Sequence, residues 1–472
     1  MHLAPPRGAV TSGTVPPAPR MPRGWADTIV RTLELRTAAS ALPAYLVFSV
    51  VLALHVAVFA NAISYLPAEA DDLRLISAAV RVDNPLELLT RDAGLKNPVY
   101  RPLLSMSLWA VHEVFGVRSW PNQLLGLLLH FVNLCLLVWI LLRSGVPRLA
   151  VLGGSALAVS SIYTVSPVVW VADRATLMTA FCMLLLVAHA IDRGAQQREL
   201  SATLVAIASA TAVLSKESGV IVPVLALLCA AGLHRHGTRA ARLRVAFTAT
   251  GILAGYGAVR LAIFGWGALG YDESGYLLAT WHYDSAAHLA RGWHAWAAVE
   301  NVLKNMAAVA LPIFDNEGGF LDRIALIKLA PIWIPTAVLA ATALRRPWTS
   351  VHRLAFALIV LNAVVHYAAF RHRVEYIAWF GLCLCVAASS GLTTGRLRLA
   401  TAAALFCAVL GGLAYGTAFV ADGWLYRHHM LRDLHLAPLQ NRYPRDIDRA
   451  LVERILRRYA DQPVMPAAVR RR

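Results

Sequence analysis

The sequence predicts an all-α polytopic membrane protein of about 11 transmembrane helices (about 10–13), with amphipathic interfacial helices in its first outer loop. Three observations predict this. Of 472 residues, 58% are hydrophobic and only 15% are charged, against about 45–50% apolar and about 25% charged in an ordinary soluble domain. The mean hydropathy is +0.56. Several uncharged apolar runs reach the roughly 17–25 residues that cross a hydrocarbon core, and no long alternating strand pattern accompanies them. The arginines behind the net charge of +17 gather in short loops and tails. That pattern sets orientation in a bilayer, so no nucleic-acid partner is expected.

Residues 1–38 are rich in Pro, Gly and Arg, with no apolar core before residue 40 and no cleavable signal peptide in view. A disordered basic cytoplasmic tail is expected there. The membrane domain is expected over 39–421. Its spans lie near 40–62, 122–142, 149–165, 175–191, 201–214, 219–233, 245–264, 327–344, 354–370, 376–393 and 399–420. The fifth and sixth are short and meet at "LSKES", where a broken or tilted helix is expected. Basic residues before the first span and after the second (Arg143, Arg148), fourth (Arg193, Arg198) and sixth (Arg235, Arg239, Arg242, Arg244) alternate as cytoplasmic loops should. A bacterial inner membrane with a periplasmic working face is the expected location.

Two outer loops are long. In the first, 63–121, Asn84-Pro85 is an N-cap followed by proline at the first helical position. Leu104, Leu108, Val111 and Phe115 then share one helical face. The second loop spans 265–326, and its stretch 265–298 carries seven Trp and Tyr residues, which suit either an interfacial aromatic belt or a sugar- or lipid-contacting surface. Within it, Glu300 and Lys304 form an i,i+4 pair on a segment, 296–314, expected to be an outer amphipathic or re-entrant helix. Residues 422–472 are a polar, partly helical tail, expected on the outer side. The six cysteines all fall in apolar runs and behave as small hydrophobes. His55, His130, His189 and His366 lack ligand-like spacing.

Five features carry candidate chemistry, and all fall on the expected outer side. Asp71 and Asp72 are consecutive, so on a helix they point about 100° apart and suit two separate jobs rather than one shared proton. One would take a proton from a hydroxyl; the bland alternative is a solvated helix N-terminus. Tyr100-Arg101-Pro102 opens an interfacial helix, where the arginine either binds a phosphate or snorkels. "VADRAT" (171–176) and "LSKESG" (214–219) follow at span ends. Arg371, His372, Arg373, Glu375 and Tyr376 are crowded into six residues, and the arginines there either hold an anion or pair with nearby acids.

This ordered set resembles the GT-C class of integral-membrane glycosyltransferases, most of all the transmembrane O-mannosyltransferases with TPR repeats and their bacterial relatives. The matching elements are Asp71-Asp72, Tyr100-Arg101-Pro102-Leu103, the span "NQLLGLLLHFVNLCLL", Lys216-Glu217-Ser218-Gly219, and, in part, Asp173-Arg174-Ala175 and Arg373-Val374-Glu375-Tyr376. His372 stands where the family has a glutamate, and the TPR repeats are missing. The resemblance covers roughly residues 40–395 and implies a GT-C fold. It implies an inverting transferase that moves a sugar from a polyprenyl-phosphate donor in the lipid bilayer to an acceptor hydroxyl on a protein, lipid or glycan. In that scheme Asp71 or Asp72 is the base. Arg101, Arg373, Arg371, Arg174 and Lys216 would stabilise the departing phosphate, while Tyr100, Glu217, Tyr376 and His372 would contact substrate. Glu69, Asp71 and Asp72 are the set that would hold a divalent cation, and no other cofactor is implied. The rival expectations are a transporter or flippase of lipid-linked sugars, a lipid-linked glycan ligase or polymerase, and a non-catalytic scaffold.

Overall fold

The computed structural model describes residues 43–64, 70–91, 99–116, 118–159, 161–234, 236–265, 294–311, 323–345, 348–366, 375–390 and 395–434. The described residues are helical and contain no strand. We number the α-helices α1 (Ala44–Phe59), α2 (Ala70–Val80), α3 (Pro102–Phe115), α4 (Trp120–Arg143), α5 (Arg148–Val159), α6 (Ile162–Val169), α7 (Arg174–Ala195), α8 (Ala202–Ser215), α9 (Ile221–Leu228) and α10 (Arg239–Phe264). They continue as α11 (His294–Ala310), α12 (Arg323–Leu344), α13 (Ser350–Val365), α14 (Tyr376–Ser390) and α15 (Gly395–Leu434). Among the described residues, six helical stretches are long and apolar enough to cross a membrane, or seven if the bent pair α5–α6 is one span. These helices are consistent with an integral membrane protein. Leu52, Val56, Phe247 and Phe406 are exposed on them, as suits a surface wrapped by hydrocarbon rather than water.

Local chemistry sets the helix starts. Pro102 and Pro121 occupy first-turn positions of α3 and α4, where the missing N–H costs nothing. Asn84 caps the short 3₁₀ turn Pro85–Leu89 by accepting from the Leu86 N–H, as the Asn-Pro pair predicts. Ser201 and Thr238 cap α8 and α10, and Ser161 with Thr164 forms a capping box on α6. The fold departs from the sequence expectation at the C-terminus. α15 runs 40 residues without a break to Leu434, past the end expected near 420: Gly423 is tolerated inside the helix, and no proline intervenes between Ala418 and Leu434 to stop it. In α3, Leu104, Leu108 and Val111 are buried as expected, but Phe115 is exposed beside Trp120.

Two hydrogen-bonded ends define the bundle. At one end Arg143 Nε donates to Asp192 at 2.8 Å, Arg244 pairs with Glu199 at 3.1 Å, and His234 Nε2 lies 2.8 Å from the Arg198 carbonyl oxygen. At the other, the start of α7 meets the start of α4 through Arg174 and Asn122. Helices α4 and α7 therefore run parallel, with α5–α6 returning between them. Helix α8 comes back from the arginine-rich end, where the Ser201 N–H donates to His189, to Lys216 at the opposite end. The core lies where α14 passes α5. Trp379 Nε1 donates to the Leu157 carbonyl, and a Cβ on Gly154 would lie 2.6 Å from the Ala387 Cβ, so only glycine allows this approach.

Candidate functional site

At the end opposite the arginine-rich loops, four segments distant in sequence converge on one polar cluster. Its first anchor is Asp72, which is only 1% exposed on α2. Its Oδ1 accepts the Ala172 N–H at 2.7 Å, at the short 3₁₀ turn Val171–Asp173 that launches α7. That turn aims Arg174 back across the bundle. Arg174 is 1% exposed. Its Nη1 donates to Ser107 Oγ at 2.9 Å, and its Nη2 to the Asn122 carbonyl and Oδ1 at 3.0 and 2.7 Å. The Asp72 carboxylate also acts on it electrostatically. A charge this deep persists only when it is hydrogen-bonded and paired.

The second half of the cluster comes from the break between α8 and α9. Lys216 Nζ donates to Thr176 Oγ1 at 2.5 Å and lies 3.4 Å from Asp173 Oδ1, which also accepts from Thr176 at 3.0 Å. The neighbouring Glu217 turns the other way. Its Oε2 accepts from Arg101 Nε at 2.9 Å and pairs with Arg101 Nη2 at 2.9 Å, while Oε1 accepts the Tyr100 N–H at 3.0 Å. Burial raises the Tyr100 phenol above its ordinary value, so at neutral pH it is a donor, and it donates to the Leu89 carbonyl at 2.7 Å. Gly219 makes this arrangement feasible: a Cβ there would lie 2.1 Å from the Ala212 carbonyl oxygen, so the chain folds back onto α8 only with glycine at that position.

Among the expected site residues, Tyr100, Arg101, Asp72, Arg174, Lys216 and Glu217 are thus brought into this one region. Tyr376 sits elsewhere, in the core. Its hydroxyl meets His130 Nδ1 at 2.7 Å and Asn133 Nδ2 at 3.3 Å, so the Leu-rich span and the Tyr376 segment are joined by a buried hydrogen-bond network. His130 Nε2 faces the Val159 carbonyl at 3.2 Å, so the neutral tautomer that donates there leaves Nδ1 to accept from Tyr376. Glu375 is fully buried and accepts from Asn362 at 3.3 Å. Arg371, His372, Arg373 and Glu69 lie outside the described residues, as does the side chain of Asp71, whose backbone belongs to α2. Of the acids that would hold a cation, only Asp72 has a described carboxylate, and one of its oxygens is taken by the Ala172 amide. Among the described residues no three His, Cys, Asp or Glu side chains group as a metal site would need.

Sequence reasoning did not find Ser107, Asn122 and Thr176. Thr176 ends "VADRAT" and Asn122 opens the Leu-rich span, but neither they nor Ser107 mark a site by type, and only the convergence of α3, α4 and α7 makes them partners of Arg174 or Lys216. The expected i,i+4 pair Lys304–Glu300 forms at 2.9 Å on α11. Comparison with known protein families, curated proteins and solved structures yields no match to this chain.

Proposed function

We propose that this chain is an inverting GT-C-type glycosyltransferase, which moves a sugar from a polyprenyl-phosphate donor to an acceptor hydroxyl at the face carrying the Asp72–Arg174 cluster. One observation carries the proposal: buried and half-buried acids and cations from α2, the N-cap of α3, the α7 start and the α8–α9 break meet at the end away from the arginine-rich loops. The charge rule supports a non-cytoplasmic side for that end, which this proposal takes as the periplasmic face of a bacterial inner membrane. Six long helices, the bent pair and four shorter apolar helices would supply the eleven crossings of such a fold.

In this proposal Asp71 is the general base. The burial of Asp72 and its bond to the Ala172 amide support giving Asp72 a positioning role, and its neighbour on the helix then points about 100° away. The base removes the acceptor hydroxyl proton as that oxygen attacks the anomeric carbon. The bond from that carbon to the phosphate oxygen breaks, and its electron pair leaves on polyprenyl phosphate. Arg101, Lys216, Arg373, Arg371 and, through its field, Arg174 would stabilise the developing charge. The sugar and the acceptor class are not specified by these residues.

The test is turnover of polyprenyl-phosphate monosaccharides by the purified chain, read as released polyprenyl phosphate. Asp71→Asn should lower the rate by about 10²–10⁴. Full turnover in Asp71→Asn would remove the base assignment, and substrate flux without release would favour a flippase.

A further inference from the structure

We infer that the arginine-rich end holds a second site, which binds a phosphate-bearing ligand and lies at the opposite end of the bundle from the Asp72–Arg174 cluster. A cavity of about 540 Å³ opens there, within the roughly 300–1,000 Å³ typical of small-molecule sites. Its cationic wall comes from two elements far apart in sequence: Arg143 at the end of α4 and Arg353 in the first turn of α13. No Asp or Glu is among the described residues that line it. The lining also includes the apolar Ile191, Leu233 and Leu354.

Both arginines have donors to spare. Arg143 spends Nε on Asp192 at 2.8 Å, and its terminal nitrogens have no hydrogen-bond partner among the described residues. Arg353 Nη2 donates to Ser350 Oγ at 3.3 Å, while its Nε is buried without a partner among the described residues. A buried guanidinium N–H left unpaired is costly, and an anion in the cavity would satisfy it. The first turn of α13 also lines the cavity, and its early amides lack helical acceptors. Thr349 and His352 already close the capping box there, so Ser350 and Val351 are the amides that remain. His234 donates to the Arg198 carbonyl and is held neutral by burial, so it shapes the site rather than charging it. Two guanidinium groups, helix amides and apolar lining residues match a phosphate ester with a carbon skeleton attached. That chemistry comes either from an anionic lipid headgroup or from a soluble phosphomonoester.

The experiment uses the full-length chain in phosphatidylcholine nanodiscs. Glycerol 3-phosphate is one arm, and phosphatidic acid in the disc is the other. Binding is read as affinity and as hydrogen-exchange protection of residues 142–147 and 349–354. Protection by glycerol 3-phosphate supports the site with a soluble phosphate ester, and protection by phosphatidic acid alone supports it with a headgroup. The double variant Arg143→Gln/Arg353→Gln should bind about tenfold more weakly or worse. Arg244→Gln, which removes the same charge from the same end outside the cavity, should bind as wild type does. Equal affinity in the double variant and wild type overturns the proposal. So does the absence of protection by either ligand in the wild type, a readout that needs no variant to fold.

Discussion

Asp72 and the Arg101–Glu217 pair show how far single side chains settle the site. Asp72 Oδ1 accepts one backbone N–H, and asparagine can keep that bond while alanine cannot. Asp72→Asn keeps that bond and loses only the charge facing Arg174, so its melting temperature in detergent should fall between those of wild type and Asp72→Ala. Asp72→Ala should lower stability by about 1–3 kcal/mol, because the Ala172 amide is left buried and unpaired. Equal melting of the two variants would show that the bond does not hold the turn. Arg101 and Glu217 are 12% and 18% exposed in their side chains, so solvent screens them only in part. Arg101→Ala and Glu217→Ala should each cost about 1–3 kcal/mol, and the double variant should cost clearly less than the sum. Additive losses in a double-mutant cycle would mean that the two side chains do not act as a pair. The sequence shows these residues by type, yet nothing in it says that Glu217 faces Arg101 while its neighbour Lys216 faces Asp173. That division follows from the extended backbone at Lys216 and the 3₁₀ turn after it.

The break between α8 and α9 is the element on which the cluster depends. Its motif, Lys216-Glu217-Ser218-Gly219, is legible in the sequence because each part has a local reason: charges at a span end, then glycine where the chain reverses. The Gly219 N–H bonds the Lys216 carbonyl at 2.8 Å, and the α8 backbone leaves no room for a side chain. Gly219→Ala should cost about 1–3 kcal/mol or more through backbone displacement. The Lys216 and Glu217 bonds should loosen along with it, read as a lower melting temperature and faster proteolysis between α8 and α9. A melting temperature unchanged by the extra methyl would mean that the helix pair is not closely packed there. The start of α7 behaves differently. "VADRAT" is visible as a polar punctuation in apolar sequence, but the partners of Arg174 are not, because Ser107 and Asn122 reach it from other helices.

For the whole molecule, the decisive property is polarity from end to end. Arg143, Asp192, Glu199 and Arg244 mark one end, and Asp72, Arg101, Asp173 and Lys216 the other. In a chain whose native cysteines are replaced, Ser64→Cys should react with a membrane-impermeant thiol reagent from the periplasmic side, and Arg244→Cys should react only after permeabilisation. Labelling of both from one side would sink the orientation and the proposed function with it. At this scale the sequence by itself determined the all-helical class and the loops that carry charge; of the eleven spans it predicts, six or seven are helices long and apolar enough to cross a membrane among the described residues. Hydrocarbon thickness and the need to satisfy every backbone amide leave few alternatives, and both act on contiguous residues. Only the tertiary structure decided which charges meet, that Tyr376 is spent on His130 inside the core, and that the arginine-rich loops enclose a cavity. Those outcomes depend on the depth and rotation of each helix against its neighbours, which packing between distant segments sets.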